Sequence, residues 1–142
     1  MFLTLWLLLS IFKTKRNSKK RIYALIDEIR QRGLDKKMTF SFQARGDNAD
    51  YALFKDLYSS GFKSVFFGME TASNRIMELI KKGETVEQCI NAVRMAKELG
   101  FHVSAAFIYG FPTETHSDRI SCATLSKELE IDMARFNNAT PY

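Results

Sequence analysis

Three joints in this chain share one form: Arg32-Gly-Leu34, Ser60-Gly-Phe62 and Leu99-Gly-Phe101. Each places glycine where a helix stops and an apolar residue where an extended segment begins. A chain that repeats this joint alternates helices with strands. Strict alternation implies right-handed crossovers and a parallel sheet.

The intervening segments fill in that plan. Met1–Phe12 is almost wholly apolar, and Lys13–Asn17 is a polar connector. Ser18 is a candidate cap for a helix carrying Ile22, Leu25, Ile26 and Ile29 and ending at Gly33. Met38–Ala44 reads as a strand, Arg45–Asn48 as a turn, and Asp50 as the start of a helix bearing Leu53, Phe54 and Leu57. Ser64–Gly68 is a short strand, and Ser73 begins a brief helix. Thr85-Val-Glu-Gln88 matches a capping box at the head of the next helix. Phe101–Tyr109 is the most apolar strand candidate, Ser117 a cap for a helix through Glu130, and Asp132–Phe136 the last strand. The fold class expected is α/β: one domain over residues 1–142, a partial (β/α) barrel of about five parallel strands with outer helices. Five strands are too few for a closed barrel of eight strands and about 250 residues. A doubly wound sheet fits the same pattern.

Charge and cysteine content narrow the setting. The chain has 142 residues and a net charge of +5. Lys13, Lys15, Arg16, Lys19, Lys20 and Arg21 carry much of the excess. No aromatic residue interleaves with them, so a solvated helix start is expected and nucleic acid is not. Cys89 and Cys122 are at no metal-ligand spacing, which favours free buried thiols and a reducing, cytoplasmic setting. Met1–Phe12 is shorter than the about 20 residues that span a bilayer. Its positive charge follows the apolar run, unlike that of a signal peptide. It is expected to be a buried strand or the scar of a truncation, with a short membrane anchor as the alternative.

Two apolar runs stop at glycine with a carboxylate close behind: Phe66-Phe-Gly-Met-Glu-Thr71 and Phe107-Ile-Tyr-Gly-Phe-Pro-Thr-Glu-Thr115. Parallel topology puts the ends of all strands on one rim, where α/β folds bind ligands. That rim would carry Gln43 and Arg45, Gly68 and Glu70, Gly110 and Glu114, then Asn137 and Asn138. Bare backbone at the glycines allows close approach, and a carboxylate can hold a ribose or an ammonium group. Gly-x-Glu alone is a common triplet, and Arg45-x-Asp47 alone is commonly a capping ion pair. Their appearance at consecutive strand ends is the stronger signal.

At these residues the sequence resembles the radical S-adenosylmethionine enzymes, in the branch often joined to a cobalamin-binding domain. The likeness runs from about Lys20 to Tyr142. It rests on Arg45-x-Asp47, Gly61-Phe-Lys-Ser-Val-Phe-Phe-Gly-Met-Glu-Thr71, Lys82-Gly-x-Thr85, Gly100-Phe-His-Val103, Phe107–Thr115 and Asn138-Ala-Thr-Pro-Tyr142. The resemblance implies a partial barrel that binds S-adenosylmethionine. Glu70 would meet its ribose or methionine part, and Gly110 with its neighbours the adenine. Asn137 and Asn138 would read the base, and Arg45 would meet a carboxylate of cofactor or substrate. It further implies a four-iron four-sulfur cluster that reduces the sulfonium to give methionine and a 5′-deoxyadenosyl radical. Cobalamin would come through a further domain, and the substrate is a small molecule of unknown identity.

The chain departs from that pattern in one respect. The family holds its cluster with cysteines spaced Cys-x-x-x-Cys-x-x-Cys, and this motif does not occur here. The expectation is a truncated fragment that assembles no cluster and is catalytically inert alone. The alternative is a cluster-free α/β module binding a nucleotide or phosphate ligand on the same rim.

Overall fold

The computed structural model describes residues 3–6 and 15–140. Strands β1 (Leu3–Trp6), β2 (Met38–Ala44), β3 (Phe62–Glu70), β4 (His102–Tyr109) and β5 (Met133–Asn138) are joined by helices α1 (Lys15–Gln31), α2 (Tyr51–Ser59), α3 (Asn74–Leu79), α4 (Val86–Glu98) and α5 (His116–Glu128), with α3 and α4 both between β3 and β4. The five strands are all parallel and lie in the order of the chain, β1-β2-β3-β4-β5.

That order decides between the two expected architectures. A doubly wound sheet reverses direction at a switch point so that its helices cover both faces. Here every right-handed crossover steps the same way, which puts all helices on one face, as in a barrel wall. The core follows. Phe40, Phe42, Val65, Phe67, Val103, Ala105 and Phe107 are buried in one cluster with Ile26 of α1, Leu53 and Phe54 of α2, and Val93 of α4. Residues alternating with them, such as Phe66, Gly68, Ala106 and Ile108, lie on the helix-free face and are half-buried.

Local signals account for most boundaries. Asp50 caps α2 by accepting from the Leu53 amide at 2.9 Å. Thr85 and Gln88 close both halves of the capping box on α4. Gly33 ends α1 in the left-handed region, at φ 62°. Other boundaries move. Helix α1 begins at Lys15, so Ser18 lies inside it. Helix α5 begins at His116, because Thr115 rather than Ser117 is the cap: its hydroxyl accepts from Asp118 N–H at 3.2 Å while Asp118 accepts from Thr115 N–H at 2.8 Å. Ser73 precedes α3 without a side-chain cap bond. Strand β3 runs longer than expected at both ends.

Of the apolar start, Leu3–Trp6 is a strand in register with Met38–Ser41, which makes it part of the sheet rather than a helical anchor. The rest of Met1–Phe12 lies outside the described residues, as do Pro141 and Tyr142. Among the described residues no helix is long and apolar enough to cross a membrane.

Candidate functional site

The carboxyl ends of the strands form a sloping rim. Ala44, the last residue of β2, is level with Phe67, which is level with Ala105. Tyr109 and Asn138 end β4 and β5 as partners, about 13 Å farther along at roughly 3.3 Å per residue. The rim residues read from sequence fall into two groups along this slope.

The lower group surrounds the end of β3. The register between β3 and β4 shifts at Gly68/Glu70, and Glu70 takes φ 60°. A non-glycine residue in that region is strained, and such strain clusters at ligand sites. Bulges of this kind re-aim side chains. Here the Glu70 carboxylate folds back over the helix-free face, directly above Gly68. A Cβ at position 68 would lie 2.7 Å from Glu70 Oε1 and 3.2 Å from Lys82 Nζ, so any larger residue there displaces the ends of these two side chains. Lys82 donates to Glu70 Oε1 at 2.6 Å. Lys82 Nζ also stands 3.6 Å from Oε1 of Glu84, whose side chain is fully buried. The other Glu84 oxygen accepts from Gly46 N–H at 2.7 Å and from Asp47 N–H at 3.4 Å.

Arg45 belongs to this group but not in the expected way. It binds Asp47 through Nε at 3.0 Å and donates through Nη2 to the Lys82 carbonyl at 3.0 Å. The Asp47 bond outweighs burial and holds the guanidinium even more firmly protonated than usual. Its partners are internal, so it braces the β2 turn against the loop before α4 instead of presenting a free cation.

The upper group lies at the ends of β4 and β5. Gly110 N–H donates to Glu114 Oε2 at 2.6 Å, and Arg119 Nε binds the same oxygen at 3.2 Å. Glu114 is thereby folded under its own loop with its side chain almost fully buried, while its Oε1 has no hydrogen-bond partner. The amide of Gly110, the residue expected to meet the adenine, is occupied by Glu114. Asn137 is exposed on the helix-free face, the same face as Gly68, through the pairings Gly68–Ala106–Arg135 and Ile108–Asn137. Asn138 pairs with Tyr109 and points to the helix side. Gln43 is exposed on the helix-free face beside Phe66. Sequence reading placed Lys82 in a motif without a role and missed Glu84. The signal for both was Lys82-Gly-Glu-Thr85, where one turn puts a cation and a carboxylate ahead of a helix.

The rim and the helix-free face suit S-adenosylmethionine: carboxylates for cationic or hydroxyl donors, bare backbone at Gly68, and the half-buried surface of Phe66 and Ile108 for an aromatic base. The chain's own residues do not suit a four-iron cluster. Cys89, behind the Gly46 turn, and Cys122, beside Ala72, lie close beneath the strand ends, but both are buried in the core. Desolvation pushes the Cys89 thiol up to about 12, and burial raises Cys122 as well, whereas a cluster takes thiolates. Cys122 Sγ is engaged by the Ala72 amide at 3.3 Å. Among the described residues no group of three or more His, Cys, Asp and Glu could hold a metal ion. Reconstitution with iron and sulfide is therefore expected to give this chain no thiolate-to-iron absorption band. A band that vanishes in the Cys89→Ala, Cys122→Ala double variant would show this reading of the two thiols to be wrong.

Residues 9–125 match the Radical SAM superfamily. An uncharacterized methyltransferase of Pyrococcus horikoshii is 42% identical over 125 residues, covering 88% of this chain and 27% of the relative. A putative methylthiotransferase of Methanocaldococcus jannaschii is 30% identical over 97 residues, covering 68% of this chain and 22% of the relative. The chain thus spans about a quarter of the length of these two curated relatives. Among solved structures, the radical S-adenosylmethionine methyltransferase TsrM of Kitasatospora setae, with cobalamin and a 4Fe-4S cluster bound, superposes with a TM-score of 0.78 at 19% identity, over 96% of this chain and 27% of that one. The cobalamin-dependent S-adenosylmethionine radical enzyme OxsB superposes with a TM-score of 0.74 at 21% identity, over 94% of this chain and 20% of that one. These last two likenesses concern the fold.

Proposed function

The chain belongs to the Radical SAM superfamily, and from that premise we propose that its strand-end rim holds S-adenosylmethionine for a radical group-transfer enzyme. The observation that carries this reading is the strained turn at Glu70. A bulge and a left-handed backbone, both costly, aim one carboxylate at the helix-free face above a glycine that admits it. Glu70 receives a donor of the methionine or ribose part, and Gly68 lets the ligand reach the main chain. The Gly110–Glu114 loop and Asn137 border the adenosine. Arg45, through Asp47 and the Lys82 carbonyl, keeps the loop before α4 in place.

S-adenosylmethionine supplies radical chemistry after one-electron reduction. The electron source lies beyond this chain's own residues, since its two thiols are core groups. Methyl or methylthio transfer is the favoured outcome because two relatives at 30% identity or more, each matched over at least two thirds of this chain, are described as a methyltransferase and a methylthiotransferase. Cobalamin, present with TsrM, enters the reading as a companion cofactor brought by a further segment or partner. The family match favours this reading over a cluster-free nucleotide module.

Calorimetric titration with S-adenosylmethionine tests it. Glu70→Ala is expected to weaken binding by at least tenfold, as for the loss of a hydrogen bond to a charged group of about 1.5–3 kcal/mol. Equal affinities for the two proteins would remove Glu70 from the site.

A further inference from the structure

Lys82 is one cation between two carboxylates. It binds Glu70 Oε1 at 2.6 Å and stands 3.6 Å from Glu84 Oε1, too far for a hydrogen bond. Glu84 Oε1 is buried and has no hydrogen-bond partner at all. An unsatisfied buried carboxylate oxygen is a costly thing to keep. The Cys89 thiol beside Glu84 is only a weak donor, and the Lys82 ammonium that would satisfy this oxygen fully is drawn the other way.

The surroundings permit the side chain to change partners. The Lys82 backbone is fixed, its N–H bonded to the Met77 carbonyl at 3.1 Å and its own carbonyl bonded to Arg45 Nη2 at 3.0 Å. Only the flexible stem has to swing, and an ammonium shift of about 1 Å brings Oε1 of Glu84 within the roughly 2.8 Å of a charge-assisted bond. With no Cβ at position 68, the ammonium is not crowded from that side. Glu84 does not move to meet it, since its other oxygen is held by the Gly46 and Asp47 amides. Charge argues the same way. Arg45 and Asp47 neutralise each other, leaving Lys82 against Glu70 and Glu84. A cationic ligand on Glu70 brings the balance to two against two.

We propose that Lys82 is an exchangeable counter-ion: it occupies Glu70 in the free chain and passes to Glu84 when a donor group of the ligand takes its place. The idea rests on the function proposed above. Lys82 then acts as a built-in competitor. It neutralises Glu70 while the site is empty and sets an affinity threshold that a ligand without a cationic or strong donor group does not cross. Lys82 and Glu84 are positioning residues, acting through Glu70.

The test is titration of the full chain and its Lys82→Met variant with S-adenosylmethionine, joined to nitrogen NMR of the lysine ammonium groups. Removing a competitor is expected to tighten binding on the order of tenfold, within the usual range of coupling between two ligands of one site. A lysine that contacts the ligand directly, or only braces the loop, gives unchanged or weaker binding in Lys82→Met, and either result overturns the exchange. Should the variant fail to fold, the wild-type spectrum decides. The Lys82 ammonium signal is expected to move on saturation with ligand, and a signal that stays still while the ligand binds overturns the proposal. Absence of any binding to the wild-type chain overturns the Glu70 site and the exchange together, whereas binding without tightening in Lys82→Met overturns the exchange alone.

Discussion

Phe54→Ala is expected to lower the stability of this domain by about 3–5 kcal/mol. Phe54 is fully buried on α2, and its ring meets three others. Phe42 of β2 and Phe101, at the entry to β4, are edge-on at 5.3 and 5.9 Å, and Phe67 of β3 is stacked at 6.5 Å. One side chain thus ties a helix to three neighbouring strand segments. Truncating it forfeits the transfer free energy of the ring, leaves a cavity that a sheet cannot close, and loses edge contacts of about 0.5–1.5 kcal/mol each. Domains of this size have only about 5–15 kcal/mol in total, so a large part of the molecule's margin depends on this ring. Urea unfolding followed by circular dichroism measures it. A shift below about 1 kcal/mol would mean that the aromatic cluster is not the centre of the core.

Gly46→Ala is expected to cost about 3 kcal/mol, through a different mechanism. A Cβ at this position would fall 2.7 Å from both Cα and N of Cys89 and 2.9 Å from the carbonyl carbon of Gln88. Those atoms are the backbone of α4, whose Cys89 and Val93 are anchored in the core. Helix α4 has no room to withdraw, so the β2 turn must. The move breaks the 2.7 Å bond from Gly46 N–H to Glu84 and disturbs the Arg45 bond to the Lys82 carbonyl. Overpacking costs about 1–3 kcal/mol and a lost bond to a charged acceptor about 1.5–3 kcal/mol. Because the same turn holds Glu84, which must take Lys82 from Glu70 when the ligand binds, affinity for S-adenosylmethionine should fall together with the melting temperature. Gly33→Ala is the control. Nothing lies within 4 Å of a Cβ there, so only left-handed strain of about 1–2 kcal/mol applies and binding should be unchanged. Similar losses in both variants would show that backbone strain, not contact with α4, governs Gly46.

The contrast between these two positions also shows what a sequence can and cannot disclose. Leu53, Phe54 and Leu57 recur at helical spacing between a capping aspartate and a terminal glycine, so the helix and its buried face were legible. So were Met38–Ala44, the Thr85–Gln88 box and the parallel order, because each is a local pattern with a local cause. Gly46 was not, since the reason for glycine there is the backbone of a helix more than forty positions later. The bulge at Gly68/Glu70 left no mark either. Left-handed backbone at a glutamate is set by packing around it, and its residue type gives no hint. The rim was read in the right order along the chain, but the partners were not. Arg45 was expected to meet a ligand carboxylate and Gly110 the adenine, and the Arg45 guanidinium and Gly110 amide each have an internal acceptor that only the folded loops bring close. Glu84 looked like an ordinary turn residue, because nothing near it in sequence announces that its carboxylate is enclosed.

The strand order has a consequence for assembly. Among the described residues each strand pairs only with its neighbours in the chain, and each crossover carries one helix except that between β3 and β4, which carries α3 and α4. No unit waits for a distant stretch to arrive before it can dock, so the entropic cost of closing each loop stays near that of one crossover. The wall can therefore grow outward from any nucleated pair, and gaining or losing a whole crossover at either margin leaves the interior pairings unchanged. Amide exchange would record this as protection that is strongest at β3 and declines stepwise toward both borders.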